Sequence, residues 1–119
     1  MAMLEVQRDE LVVRLSPLEQ LAALRHEVRV PLASLEAVAA VQDPWICLRG
    51  MRAPGTGIPG VVAYGVRRMT GHAPDFAAVH GRGPAVRVEL APWAPFARLL
   101  ITVPDPESAA AAIRAGVNA

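Results

Sequence analysis

The chain has 119 residues, of which 53% are hydrophobic and 19% charged; twelve arginines, no lysine and eleven acidic residues leave a net charge of +1 at pH 7. This length fits one domain, residues 1–119, able to bury a core without disulfides or metals, and the aliphatic content excludes a disordered chain. The even charge provides no field for nucleic acid, and no apolar run approaches the roughly 20 residues of a membrane-spanning helix.

The N-terminus, MAMLEVQRDEL, is charged from Glu5 onward and lacks the apolar stretch of a secretory signal. With Cys47 as the lone cysteine no intrachain disulfide can form, so the expected location is the reducing cytoplasm. Met3 to Gln7 alternates apolar and polar residues, Leu11 to Leu15 is rich in β-branched residues, and Arg8-Asp9-Glu10 between them reads as a hairpin turn.

Ser16-Pro17-Leu18-Glu19 then carries a capping box: Ser at the N-cap, Pro at the first helical position, Glu at the third. Leu18, Leu21, Ala22 and Leu24 supply the apolar stripe of a short helix ending near Arg25. Glu27 to Val30 alternates as a strand. Leu35 to Val41 suits a helix or a strand, and Asp43-Pro44-Trp45 opens a short helical turn.

The stretch from Arg52 to Gly60, RAPGTGIPG, contains Gly55-x-Gly57-x-x-Gly60, the letters of a dinucleotide-binding loop. Such a loop needs a strand before it and a helix after it, whose N-terminus meets the pyrophosphate. Here prolines stand at 54 and 59, and Val61 to Arg68 is strand-like. The alternative is a stiff connection, with Pro fixing φ and Gly supplying turn conformations.

Phe76 to His80 and Val86 to Leu90 are further strands, the latter with Arg87 and Glu89 toward solvent. Leu99 to Val103 is apolar on both faces, as a central strand would be. Asp105-Pro106-Glu107 repeats the capping device ahead of an alanine-rich terminal helix. The pattern predicts a mainly β (α+β) antiparallel sandwich or barrel with a short inserted helix and a capping C-terminal helix.

The Pro-Gly-Thr-x-x-Pro-Gly stretch, the x-Gly-x-Arg-Arg strand, Asp75-Phe76 and the closing Leu-Leu-Ile-Thr-Val-x-Asp-Pro-Glu together resemble small bacterial proteins with a pleckstrin-homology-like fold. The resemblance implies two packed antiparallel sheets capped by a C-terminal helix, and no assigned activity. Inositol-phosphate-binding relatives use basic residues around the first hairpin. Here Arg8 and Arg14 are present, Asp9 and Glu10 occupy the turn, and Ser16 stands where a further base would be wanted.

Three constellations carry candidate chemistry. Arg49, Arg52, Arg67 and Arg68 around the glycine stretch form a candidate anion site for phosphate or a lipid headgroup, or else solvated surface arginines. Trp93 and Phe96, in the proline-bracketed Trp93-Ala94-Pro95-Phe96, are candidate partner-binding residues, Trp93 standing exposed at a loop tip or folding over the core. His72, Asp75 and His80 are the only candidates for an enzyme, as metal ligands or acid–base partners. Cys47 reads as a buried thiol, Ser16 and Ser108 belong to helix ends, and Ser34 is the only other serine, so nothing points to a serine triad. No cofactor and no metal are expected. The leading expectation is a non-enzymatic binding or scaffold module that meets a protein partner or its own copy, with sheet edges as a further contact route.

Overall fold

A computed structural model describes residues 2–49, 51–58, 61–68 and 70–118, and the side chains of all of these except 51–56. Among the described residues the chain is mainly β, with nine strands in two sheets and two α-helices. The smaller sheet orders β1 (Met3–Gln7), β2 (Glu10–Arg14) and β3 (Glu27–Pro31) as an antiparallel meander. The β1–β2 turn places Arg8 at φ 54°, the positive φ that a tight hairpin with right-handed strand twist demands. Helix α1 (Pro17–Ala23) is inserted between β2 and β3.

The larger sheet has six strands: β4 (Leu35–Val41), β5 (Met51–Ile58), β6 (Val62–Arg68), β7 (Asp75–His80), β8 (Ala85–Leu90) and β9 (Arg98–Ile101), in the order β4-β8-β9-β7-β6-β5. One pair departs from the all-antiparallel expectation: β9 lies parallel to β7. It is inserted between β7 and β8, which a short turn joins directly in sequence. The apolar character of Leu99-Leu100-Ile101 accounts for the central position. Leu99 and Ile101 enter the main core on one face, while Leu100 packs with Ala63, Ala77 and Val79 on the other. Where β9 ends, the Thr102 N–H donates to the Ala78 carbonyl at 2.9 Å and the His80 N–H to the Thr102 hydroxyl at 3.1 Å, which extends the pairing past the last strand residue.

The glycine stretch is neither a phosphate loop nor a mere connection. Met51–Ile58 is itself a strand, paired antiparallel with β6 and irregular in register between Arg52 and Gly55. Proline lacks a donor for the ladder, and β5 is the outermost strand, where Pro54 can sit. No helix follows, because the next element is β6. Pro59 and Gly60, the last residues of the glycine motif, lie outside the described residues.

The main core draws from both sheets: Leu11, Val13, Val28 and Val30 of the smaller join Phe76, Val86, Val88 and Leu99 of the larger. Helix α2 (Pro106–Asn118) lies against β4, β8 and β1, linking the two sheets. Its approach to β1 is close enough that a Cβ at Gly116 would stand 3.0 Å from Val6 Cγ1. On the outer face of the smaller sheet, Glu5, Arg14, Glu27, Arg29 and Glu10 form a chain of ion pairs with contacts of 2.9, 3.9, 3.4 and 3.3 Å. Val12, directly opposite Glu5 on one side and Arg29 on the other, is fully buried beneath it.

Candidate functional site

The connection from β4 to β5 joins the two outer strands of the six-stranded sheet, so it must cross about 24 Å of sheet at roughly 4.8 Å per strand. It does so over the outer face as a strap. Asp43 Oδ1 accepts the Trp45 N–H at 3.1 Å and opens a 3-10 turn, Pro44–Cys47. Trp45, Cys47 and Leu48 then pack on Ala63, Ala77, Val79 and Leu100. Polar fasteners tie it down strand by strand. Trp45 Nε1 donates to the Gly81 carbonyl at 2.8 Å, Arg98 Nη1 to the Cys47 carbonyl at 2.9 Å, and Arg67 Nε to the Arg49 carbonyl at 3.1 Å. Arg49 itself makes a two-pronged pair with Asp75, Nε to Oδ2 at 2.7 Å and Nη2 to Oδ1 at 3.1 Å. The Asp75 bond, foremost, holds the Arg49 guanidinium above its ordinary pKa.

This strap decides the fate of the sequence candidates. Arg49 and Arg67 are brought together, but by bonds that hold the strap to the sheet. Arg68 is exposed at the end of β6, and the Arg52 side chain lies outside the described residues. Asp75 is buried under Arg49 and lies at the opposite end of β7 from His80, about 16 Å along the strand, so His72, Asp75 and His80 are not gathered. Among the described residues no three His, Cys, Asp or Glu side chains stand where they could hold a metal ion. Cys47, within the strap, is half-buried, its Sγ 4.0 Å from Arg87 Nη1.

The loop between β8 and β9 is pinned by backbone bonds: Ala91 N–H to the Ser34 carbonyl, Ala97 N–H to that of Pro74, and Leu90 N–H to that of Ala97. From this fixed frame Trp93 projects into solvent, 64% exposed. Phe96 does not join it. It is buried, edge-on to Phe76 with ring centroids 5.9 Å apart, and the Arg25 guanidinium lies 5.1 Å from its centre. Of the two candidate contact residues, then, only Trp93 is available to a partner; Phe96 belongs to the core because its loop folds back over β7.

The feature that sequence reasoning misplaced is α1. Its caps form as expected: the Ser16 hydroxyl accepts the Glu19 N–H, and Glu19 Oε1 accepts the Ser16 N–H at 2.9 Å. The helix, however, is turned the other way round. Glu19, only 6% exposed, and Ala23 face inward, while Leu18, Leu21 and Leu24 are 76%, 70% and 62% exposed. The inward rotation is fixed by polar bonds. Tyr64 Oη on β6 donates to Glu19 Oε2 at 3.3 Å, across the contact between α1 and β6. Burial pushes the Glu19 carboxyl up, but hydrogen bonds from the Ser16 N–H and hydroxyl and from Tyr64 outweigh it and hold the carboxyl below its ordinary value. Leu24 ends the helix at φ 56°, ψ 38°, the left-handed conformation that favours glycine. Arg25, the next residue, rests on Phe96, three positions from Trp93, so the end of α1 and the Trp93 loop are neighbours.

The site is thus an apolar set of Leu18, Leu21 and Leu24 on and at the end of α1, with exposed Arg25 and His26 beyond it, and no metal-holding cluster among the described residues. No helix among them is long and apolar enough to cross a membrane. Comparisons with protein-family models, with curated proteins and with solved structures find no match to this chain.

Proposed function

We propose that this protein is a non-enzymatic binding module that works by protein contact, through the outward face of α1, with the exposed Trp93 as a further contact residue. One observation carries the reading: α1 buries its only charged residue and leaves both of its leucines, and the leucine that caps its end, in solvent. A helix with no partner gains by turning its leucines inward, since burying each stabilises by about 1.5–3 kcal/mol. Neighbouring exposed leucines, unlike single exposed apolar residues such as Ile46, mark an interaction surface. The proposed function does not depend on the resemblance to pleckstrin-homology-like proteins, from whose antiparallel sheets the parallel β7–β9 pair departs. A phosphate or lipid-headgroup role ranks second, because Arg49 is committed to Asp75 and Arg67 to the strap. The unpaired cysteine suits a reducing compartment.

The test is a photo-crosslinking side chain at position 21 of the full chain, expressed in its native host, with the same group at the charged face position 29 as control. A protein adduct from position 21 and none from 29 is expected. Absence of any protein adduct from position 21 overturns the reading. Binding to phosphate or anionic vesicles that weakens with ionic strength would favour the arginine surface instead.

A further inference from the structure

Leu18 and Leu21 stand at i and i+3 of α1, on neighbouring positions of its outward side, and the exposed Leu24 follows at the left-handed end of the helix, with Leu21 between the two. Such a strip can be its own complement. In an antiparallel pairing about a two-fold axis, Leu21 meets the partner's Leu21 on the axis and Leu18 meets the partner's Leu24.

We propose that the partner of this face is a second copy of the chain, docked α1 against α1 in a symmetric dimer; this rests on the protein-contact reading above and names its partner. Charge argues for a copy. Glu19, the only charged residue of α1, is turned inward onto Ser16 and Tyr64, and no basic residue lies within the helix. Arg25, just beyond, is drawn onto Phe96. Two such faces meet without opposing like charges, whereas a charged peptide or an anionic membrane finds no counter-charge on the strip. The area also suits. At their exposures the leucines present roughly 350 Å², a little under half of the roughly 800 Å² that each side of a standard interface buries, before any rim is added.

Leu24 supplies an independent argument. It occupies a left-handed helix end where glycine is the unstrained residue, with its side chain mostly in solvent. Within a single copy this leucine costs backbone strain and returns little packing. In the dimer it fills the end of the strip against the partner's Leu18.

Pairing through the β4 edge is hindered at Val38. There Arg114 of α2 donates from Nε and Nη2 to the Val38 carbonyl at 3.1 and 2.6 Å, so an outer strand of the larger sheet is capped by the chain itself.

The test is the mass of the purified full chain by light scattering and sedimentation, from about 1 to about 300 µM, which spans weak to moderate self-association. The wild type is expected to move from 12.6 kDa to twice that mass, with little dependence on salt. Leu21→Glu places two carboxylates on the axis and is expected to stay at one chain's mass throughout. Leu24→Gly relieves the left-handed strain, so it is expected to fold at least as stably as the wild type while weakening the dimer about tenfold; it keeps the test decisive where Leu21→Glu fails to fold. A wild type of one chain's mass over the whole range overturns the proposal, as does any dimer or larger assembly that both variants leave intact. A monomeric purified chain whose position 21 still crosslinks a different protein in cells would overturn the copy as partner and leave the protein-contact reading standing.

Discussion

Tyr64 is the only tyrosine of the chain, and its hydroxyl donates to the buried Glu19 carboxylate. Burial first, then the negative charge of Glu19 and the hydrogen bond to it, push the phenol up to about 12. An ultraviolet titration should therefore show its single phenolate appearing near pH 12 instead of near 10, and Glu19→Gln should move that midpoint back toward 10. The stability consequence has a definite sign. Between pH 10 and 12 the unfolded chain has released the phenolic proton while the folded chain retains it, so stability falls as pH rises across that window. Its full value, on the order of 2 kcal/mol, is present below pH 10. Arg49 and Asp75 give a second prediction at this scale. Removing the guanidinium leaves a buried carboxylate without its two donors, so Arg49→Ala should cost about 2 kcal/mol in urea unfolding, toward the low end for a buried pair because Arg49 is partly exposed. In the double variant with Asp75→Ala, the losses should sum to less than the two single losses.

Single elements show where local rules hold and where they stop. The capping box of α1, the aspartate cap of α2 and the turn opened by Asp43 all form at the residues that announce them, because a cap is satisfied by neighbours within three positions. The strand pattern was equally legible for β1, β2, β3, β6, β7, β8 and β9, since alternation, β-branched content or a short run apolar on both faces each reports a strand locally. β5 was not, because proline and glycine read as a turn until a neighbouring strand supplies a partner. For α1 the stripe was visible, but which side of it faces inward was not. That choice depends on Tyr64, 45 residues away in sequence from Glu19. At the element scale, Arg114→Ala should expose the Val38 carbonyl at the sheet edge, lower stability by about 0.5–1 kcal/mol and bring on turbidity at lower protein concentration than the wild type.

Across the whole molecule, the strap and the pinned β8–β9 loop place the two tryptophans in different surroundings. Trp45 lies against the sheet with its Nε1–H bonded to Gly81, whereas Trp93 stands in solvent. Acrylamide quenching of the dilute protein should be biphasic, and Trp93→Phe should remove the readily quenched fraction. The arginines around the glycine stretch belong to the same scale. Their type and density suggested an anion site, yet two of them serve to hold a connection that crosses the sheet, a need created only by β4 and β5 being its two outermost strands. The sequence by itself determined the mainly β character, the caps and the central, doubly covered place of β9, because each is a matter of local periodicity or nearest-neighbour bonding. Only the tertiary structure decided the parallel insertion of β9, the burial of Phe96, the occupation of Arg49 by Asp75 and the outward turn of the α1 leucines. Each of these depends on which distant residues meet, and no pattern within a short window of chain records that.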